Sequence, residues 1–261
     1  MSSLNKNIIR SITVISVFFC LLWLIGLGWV AYEYYAGKPE KGPQSTTVSQ
    51  KSEIKKGLTI VALGDSLTRG SGDESGKGYV GVLIDEIKEK SNGPVQLTNL
   101  GINGQRSDQL RQQVQQTEIR RQIQKADMVL VTIGGNDLFQ GGQGLMDFQA
   151  GDISVIEKKY LENLKVIFQE IRQSNRDANV FFIGLYNPFI DLDQGKDMSK
   201  IVRHWNYESA EVSGAFPKIV FVPTFDLFEL KVNDYLYSDK FHPNTEGYRL
   251  IAKRVASLLT W

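Results

Sequence analysis

Short apolar runs alternate with longer amphipathic stretches along the chain from Gly57 onward. Three of these runs, LTIVAL, MVLVTI and VFFIGL, lack strict polar alternation, which is typical of strands covered on both faces. The pattern predicts five β-strands, over Leu58–Leu63, Val95–Leu100, Met128–Ile133, Val180–Leu185 and Ile219–Pro223.

The stretches between the strands repeat apolar residues at helical spacing. Tyr79–Lys90 and Tyr160–Gln173 each carry one apolar face, and Thr245–Leu259 carries a third after Pro243. Alternation of strands and helices favours a flavodoxin-like parallel sheet covered by helices on both sides. In open sheets of this kind, ligands bind beyond the carboxyl ends of the strands.

One apolar run near the N-terminus is longer than the others. No charged residue occurs from Ser11 to Tyr32, and a helix over these residues would be roughly 33 Å long, enough to cross a bilayer core. Lys6 and Arg10 precede it, which favours a cytoplasmic N-terminus and an exported remainder. A cleaved signal peptide, which would release a secreted protein, is the alternative. Its apolar region is usually shorter and ends in small residues, so we expect an uncleaved transmembrane anchor.

The segment after this run is polar and contains Pro39 and Pro43. Its composition predicts a flexible tether with an r.m.s. reach of roughly 25 Å. We therefore expect a cytoplasmic stub and transmembrane anchor at 1–35, a flexible linker at 36–56 and one folded α/β domain at 57–261.

Composition narrows the possible partners and sites. The formal net charge is +1, which gives no reason to expect nucleic acid as a partner. The single cysteine, Cys20, lies in the N-terminal apolar run, which excludes an intrachain disulfide and a multi-cysteine metal site. The acidic run Asp191–Asp197 departs from the calcium-loop pattern, because Val202 stands where that loop needs a glutamate. We expect this run to be a solvated loop.

Four polar segments lie next to the predicted elements, three after strands and one before the last helix. GDSLTRG follows the first strand, NLGINGQRS the second and GGND the third, and SDKFHPN lies just before the final helix. The carboxyl ends of parallel strands meet at one edge of a sheet, so these segments are expected to converge.

Each segment supplies a group that is required for nucleophilic attack on a carbonyl carbon. A serine hydroxyl is a weak nucleophile that needs an adjacent base, and His242 can serve Ser66 in this way. Asp239 precedes His242 by three residues and can accept the other imidazole N–H. The candidate donors to the resulting oxyanion are the backbone N–H groups of Ser66 and Gly104 and the side-chain amide of Asn136.

Each motif taken alone also has a structural interpretation. Asp and Ser after a strand often cap a turn, and D-x-x-H before Pro243 can simply lead into a helix. All of them together, in order and at strand ends, favour a catalytic site. We expect Asp65 to hold the serine loop through nearby backbone and His204 to lie on a helix surface rather than act as a second base.

In these four blocks the chain resembles the GDSL, or SGNH, family of serine esterases and lipases. The family's blocks contribute Ser, Gly, Asn and a His paired with an Asp three residues earlier, which match Ser66, Gly104, Asn136 and Asp239/His242. The resemblance covers 57–261 and implies a three-layer α/β/α fold and a hydrolase that acts through an acyl-enzyme without metal or cofactor. The chain lacks the G-x-S-x-G elbow of the α/β-hydrolases, which disfavours that class.

We therefore expect a membrane-tethered serine esterase whose extracytoplasmic domain hydrolyses an acyl ester or a lipid. The natural substrate, the acyl chain length and the oligomeric state stay open. The alternative is an exported protein that binds a cell-envelope glycan or lipid in the same cleft without turnover, although a binder needs neither the base nor its acidic partner.

Two segments after strand ends are expected to border the site, Leu138–Ser154 and Asn187–Ser199. The first carries Leu145, Met146 and Phe148. It is predicted either to be mobile and contribute to an acyl pocket or to be a surface loop.

Overall fold

The computed structural model of the chain describes residues 3–36, 57–91, 93–140 and 150–259. It contains two compact units, Met1–Glu53 and Ile54–Trp261. The described part of the first unit is helix α1, Ser3–Ala36. Within α1, Thr13–Tyr32 has the length and the mean hydropathy, 2.4, of a membrane span, properties that a signal sequence shares. The predicted linker at 36–56 lies outside the described residues, except for the residue that ends α1.

The second unit is built on a five-stranded parallel sheet with the strand order β2-β1-β3-β4-β5. Each strand begins and ends within two residues of its predicted bounds. The strands are β1 Leu58–Gly64, β2 Val95–Asn99, β3 Met128–Thr132, β4 Asn179–Ile183 and β5 Ile219–Val222.

Helices connect the strands and cover the sheet, and the last of them follows β5. They are α2 Ser66–Arg69, α3 Gly78–Lys90, α4 Ser107–Val114, α5 Thr117–Lys125, α6 Gly135–Phe139, α7 Ala150–Ser174, α8 Gly195–Gly214, α9 Phe225–Glu229, α10 Val232–Tyr235 and α11 Thr245–Ala256.

Two hydrophobic cores lie on opposite faces of the sheet. Alternate residues of β1 point to different cores, Val61 into the core formed with α4, α5, α7 and α8, and Ile60 into the core formed with α3 and α11. Full burial of a side chain of this size contributes about 1.5–3 kcal/mol, so both faces of the sheet stabilise the unit. The flavodoxin-like, three-layer α/β/α fold is therefore confirmed.

Two predicted boundaries were wrong. The helix predicted to begin at Tyr160 begins at Ala150, so the last five residues of the segment predicted as a loop over Leu138–Ser154 are helical. Its central part, 141–149, lies outside the described residues. The acidic run is exposed as expected except at Gly195, and its last three residues, from Gly195, already belong to α8, where the Ser199 hydroxyl donates to the Gly195 carbonyl.

The strand order places the crossover reversal between β1 and β3. Ligands of doubly wound sheets bind at this switch point, beyond the carboxyl ends of the strands. Gly64 at the end of β1 pairs with Thr132 at the end of β3, so the segments GDSLTRG and GGND begin side by side.

Candidate active site

Ser66 is the first residue of α2 and follows β1 after one intervening residue, Asp65. The Asp65 carboxylate accepts the Leu67 backbone N–H at 3.0 Å and the Thr132 hydroxyl at 2.8 Å, which fixes the turn, as the sequence predicted. Burial raises the pKa of Asp65. Gly64 has a φ of +129°, and a Cβ there would lie 1.9 Å from the Thr132 carbonyl oxygen, so the turn requires glycine.

The structure brings Ser66, His242 and Asp239 into one hydrogen-bonded chain. The Oγ of Ser66 lies 2.8 Å from Nε2 of His242, and Nδ1 of His242 lies 2.6 Å from Oδ2 of Asp239. Because a carboxylate only accepts, Nδ1 carries the proton and Nε2 is free to accept one from Ser66.

The surroundings of Asp239 favour the ionised form of its carboxylate. Burial alone would raise the pKa of Asp239, but the His242 ring and the backbone N–H groups of Phe241 and His242 bond the carboxylate and lower it. Both backbone bonds are 3.0 Å long. The aspartate therefore holds a negative charge next to the imidazole, which stabilises the imidazolium form.

The loop that carries His242 is held from two sides. The Tyr186 hydroxyl, at the end of β4, donates to the Phe241 carbonyl at 2.6 Å. On the other side, Gly72 has a φ of +89°, and a Cβ there would lie 2.9 Å from the His242 Cβ. Any side chain at Gly72 would push the serine loop and the histidine loop apart.

Asp73 joins the serine loop to the first turn of α11. Its carboxylate accepts the Thr245 hydroxyl at 2.6 Å, the Gly78 backbone N–H at 2.7 Å and the Ser75 hydroxyl at 2.7 Å. Burial opposes ionisation, but these donors outweigh it and lower the pKa of Asp73 to about 2. Thr245 lies three residues after His242, so the charge on Asp73 helps to set where the histidine loop sits.

Asp73 should therefore make folding stability sensitive to acid. Its pKa is lower in the folded state than the ordinary 3.8, so its stabilising effect is complete above pH 3.8 and is lost as the pH falls through about 2. We expect Asp73→Asn to lower the free energy of unfolding by about 1–3 kcal/mol at pH 7, because asparagine keeps only one of the two acceptor oxygens and leaves some of these donors unpaired. The difference from wild type should shrink as the pH falls from about 4 to 2.

Urea unfolding at several pH values measures this difference, with the exposed Asp193→Asn as the matched control. If the difference in the free energy of unfolding between Asp73→Asn and wild type stays constant down to pH 2, the assigned role of the Asp73 charge would be contradicted.

Asn136 and Gly104, the other predicted site residues, lie on adjoining segments of the same rim. Asn136 is in α6, and its Nδ2 donates to the carbonyl of Gln105 at 3.0 Å, which leaves a second N–H. Gly104 is exposed, has a φ of +74° and has nothing within 4 Å of the position of a Cβ. Its backbone is therefore open to a ligand.

Asp137 connects the GGND segment to the start of α4. Its carboxylate accepts the Ser107 backbone N–H at 3.0 Å and the Ser107 hydroxyl at 2.5 Å, and the Asn163 amide bonds the same hydroxyl. Burial raises the pKa of Asp137. These bonds fix the Asn136 segment against the segment that carries Gly104.

His204 lies outside the site, as the sequence predicted. It is on α8 with 60% of its side chain exposed, and its Nε2 lies 3.4 Å from a carboxylate oxygen of Glu157. An ion pair at this exposure contributes little to stability.

Sequence reasoning placed Gly72 in the serine loop but missed its contact with the histidine loop, and it missed Tyr186 and Asp73. Gly72 and Asp73 come two and three residues after the GDSLTRG segment, and a glycine beside an acidic residue after a nucleophile is a usable signal for a special turn. Tyr186 follows an apolar strand and gives no sequence signal of its contact with Phe241.

A large groove among the described residues does not coincide with this site. It has a volume of about 970 Å³ and lies at the opposite, amino-terminal edge of the sheet, lined by Leu58, Pro94, Met128 and Asn179 among others. Ser66, Asp239 and His242 do not line it, so the contacts among these side chains, and not cavity size, locate the site.

The three-layer α/β/α fold, with a serine, a histidine and an aspartate in contact at the switch point, has the arrangement of groups that is typical of hydrolases. More narrowly, the chain belongs to the GDSL-like lipase/acylhydrolase family, whose profile matches residues 62–250. The protein is therefore a carboxylic ester hydrolase of the GDSL type.

Three relatives illustrate the similarity. The uncharacterized protein YpmR of Bacillus subtilis (strain 168) is 36% identical over 214 residues, which are 79% of this chain and 83% of that protein. The spore germination lipase LipC of Bacillus licheniformis is 25% identical over 204 residues, 76% of this chain and 94% of the lipase. The crystal structure of the lipase Lip_vut3 from a goat rumen metagenome aligns with a TM-score of 0.70 and 25% identity, over 77% of this chain and 96% of that one.

Proposed function

We propose that this protein hydrolyses acyl esters through an acyl-enzyme on Ser66, in lipid or cell-envelope substrates outside the membrane. The observation that carries the proposal is the pair of contacts at His242, 2.8 Å to Ser66 and 2.6 Å to Asp239. A nucleophile, a base and an acceptor that orients the base are the minimum set for acyl transfer.

In the first half-reaction, Ser66 Oγ attacks the ester carbonyl carbon while Nε2 of His242 takes the hydroxyl proton. Asp239 stabilises the imidazolium that results. The negative charge moves to the carbonyl oxygen, and the donors for it are the backbone N–H groups of Ser66 and Gly104 and the free Nδ2–H of Asn136. His242 then gives its proton to the leaving alcohol.

In the second half-reaction, a water molecule attacks the carbonyl carbon of the acyl-enzyme, and His242 accepts a proton from that water. The same donors hold the second oxyanion, and the acid leaves as Ser66 recovers its proton. The scheme uses no metal or cofactor, because the histidine activates both nucleophiles.

Helix α1 is proposed to anchor the enzyme in the membrane, with the catalytic domain on the extracytoplasmic side. The apolar span Thr13–Tyr32 supports the anchor, and Lys6 and Arg10 before it support a cytoplasmic N-terminus. The enzyme would then bind its ester substrate at the outer face of the membrane that holds α1, or beyond it.

A charged, membrane-impermeant fluorophosphonate tests the nucleophile and the orientation together. The purified full chain should gain one covalent adduct on Ser66, because the reagent needs an activated serine. Intact cells should be labelled to the same extent as lysed cells. No adduct on purified protein would contradict the mechanism, whereas labelling only after lysis would contradict the extracytoplasmic placement.

A further inference from the structure

A small apolar cavity lies directly against the nucleophile. Its volume is about 20 Å³, and Ser66 and Asn136 form one side of it. A space of this size accommodates about one water-sized group. Its other walls include the side chains of Phe139, Leu185, Tyr186, Pro188 and Phe241.

The walls of this cavity are fixed by contacts among aromatic rings. The ring of Phe139 meets those of Phe189 and Phe241 edge to face, with centroids 5.4 Å and 6.0 Å apart. Phe189 and Phe241 are also 6.0 Å apart, which closes a three-ring cluster. One ring comes from the end of α6 and two come from loops, and each ring contacts the other two, so no ring can move without disturbing two others.

Tyr186 is a fixed part of the same lining. Its ring stacks on Phe228 with centroids 4.2 Å apart, and its hydroxyl donates to the Phe241 carbonyl. Tyr186 and Phe139 are only 5% and 3% exposed. A close-packed wall of this kind resists enlargement by a longer chain.

The cavity adjoins the groups assigned to the reacting carbon, because Ser66 and Asn136 are among its lining residues. Asn136 carries an amide assigned to the oxyanion, so the acyl substituent on the same carbonyl carbon is close enough to extend into this space. The alcohol lies toward His242, which protonates the leaving oxygen. There His242 is partly exposed and Tyr237 is exposed, so the alcohol is not confined in the same way.

We propose that this cavity is the acyl pocket and that it selects acetyl esters, including those of large alcohols such as acetylated cell-envelope polymers. The inference rests on the acyl-enzyme mechanism proposed above. The acetyl methyl group matches a space for about one small group, whereas a long acyl chain exceeds that space. Of lipid and cell-envelope substrates, the cavity favours acetylated polymers.

An acyl-chain series tests this selection. Purified full chain in detergent is assayed with p-nitrophenyl acetate, butyrate and octanoate. We expect kcat/KM for acetate to exceed that for octanoate by at least about 100-fold, since one misfitting methylene alone alters kcat/KM by about 10- to 200-fold. Equal or faster hydrolysis of octanoate would overturn the inference and leave the mechanism intact. If none of the three esters is hydrolysed, the result would instead contradict the mechanism.

Phe139→Ala removes one wall of the cavity and should raise the octanoate-to-acetate ratio of kcat/KM at least about tenfold. Phe216→Ala is the matched control, because Phe216 is partly buried against Phe168 and does not line the cavity. An unchanged ratio in Phe139→Ala would contradict the role of this wall. If that variant does not fold, Leu185→Ala opens another wall and gives the same comparison.

Discussion

Replacing Ser66 with alanine should lower kcat for p-nitrophenyl acetate by on the order of 10⁴- to 10⁶-fold, the scale of loss when a serine hydrolase loses its nucleophile. Without Oγ no acyl-enzyme forms, and only binding and oxyanion stabilisation remain. The hydroxyl bonds the His242 ring and supports no backbone, so circular dichroism and the melting temperature should change little. Stopped-flow and steady-state release of p-nitrophenol measure the loss.

The matched control is Ser71→Ala, in the same loop. The Ser71 hydroxyl donates to the side-chain oxygen of Asn103 at 3.0 Å and does not touch His242. This variant should keep most of its activity. Turnover by a folded Ser66→Ala protein at a rate near that of Ser71→Ala would exclude Ser66 as the nucleophile.

Replacing His242 with glutamine should cause a loss of similar size, on the order of 10⁴- to 10⁶-fold. Glutamine can occupy the position and bond Ser66, but its amide cannot take up the hydroxyl proton. Nucleophile and base act as a unit, so the double variant Ser66→Ala/His242→Gln should be scarcely slower than either single variant. Fully additive losses would show that the two residues act separately.

His204→Gln tests whether the loss of activity depends on which histidine is replaced. His204 is the other histidine of the sequence and lies on the exposed surface of α8. Its replacement should leave kcat/KM within about twofold of wild type, as expected for an exposed ion pair. A loss in His204→Gln as large as in His242→Gln would contradict the assignment of the base.

The sheet could be predicted from the sequence because its strands are buried on both faces. All five residues of β3 are buried, so the run MVLVT carries a continuous apolar signal. The start of α7 could not be predicted from the sequence, because Gly151 and Asp152 have low helix propensity and the apolar repeat becomes clear only further along. Packing of the rest of α7 on the sheet overrides that local preference.

The reactive side chains of the site could be predicted because their spacing is local or set by strand ends. Asp239 and His242 share one turn, and Ser66 follows a strand. The aromatic cluster could not be predicted, since Phe139 ends α6 while Phe189 and Phe241 lie in two loops, and the three rings meet only through tertiary packing. Sequence patterns therefore indicate the chemistry well and the shape of the acyl pocket poorly.

The contact between Ser66 and His242 joins residues that are 176 positions apart. His242 lies in a loop just before α11, and α11 packs on α3 and on one face of the sheet. During synthesis the chain emerges from its N-terminal end, so the whole sheet can form while the histidine is still absent. Catalytic competence should consequently appear in a late folding step, after docking of the C-terminal helix, and no nascent fragment lacking that helix should be able to cleave an ester inside the cell.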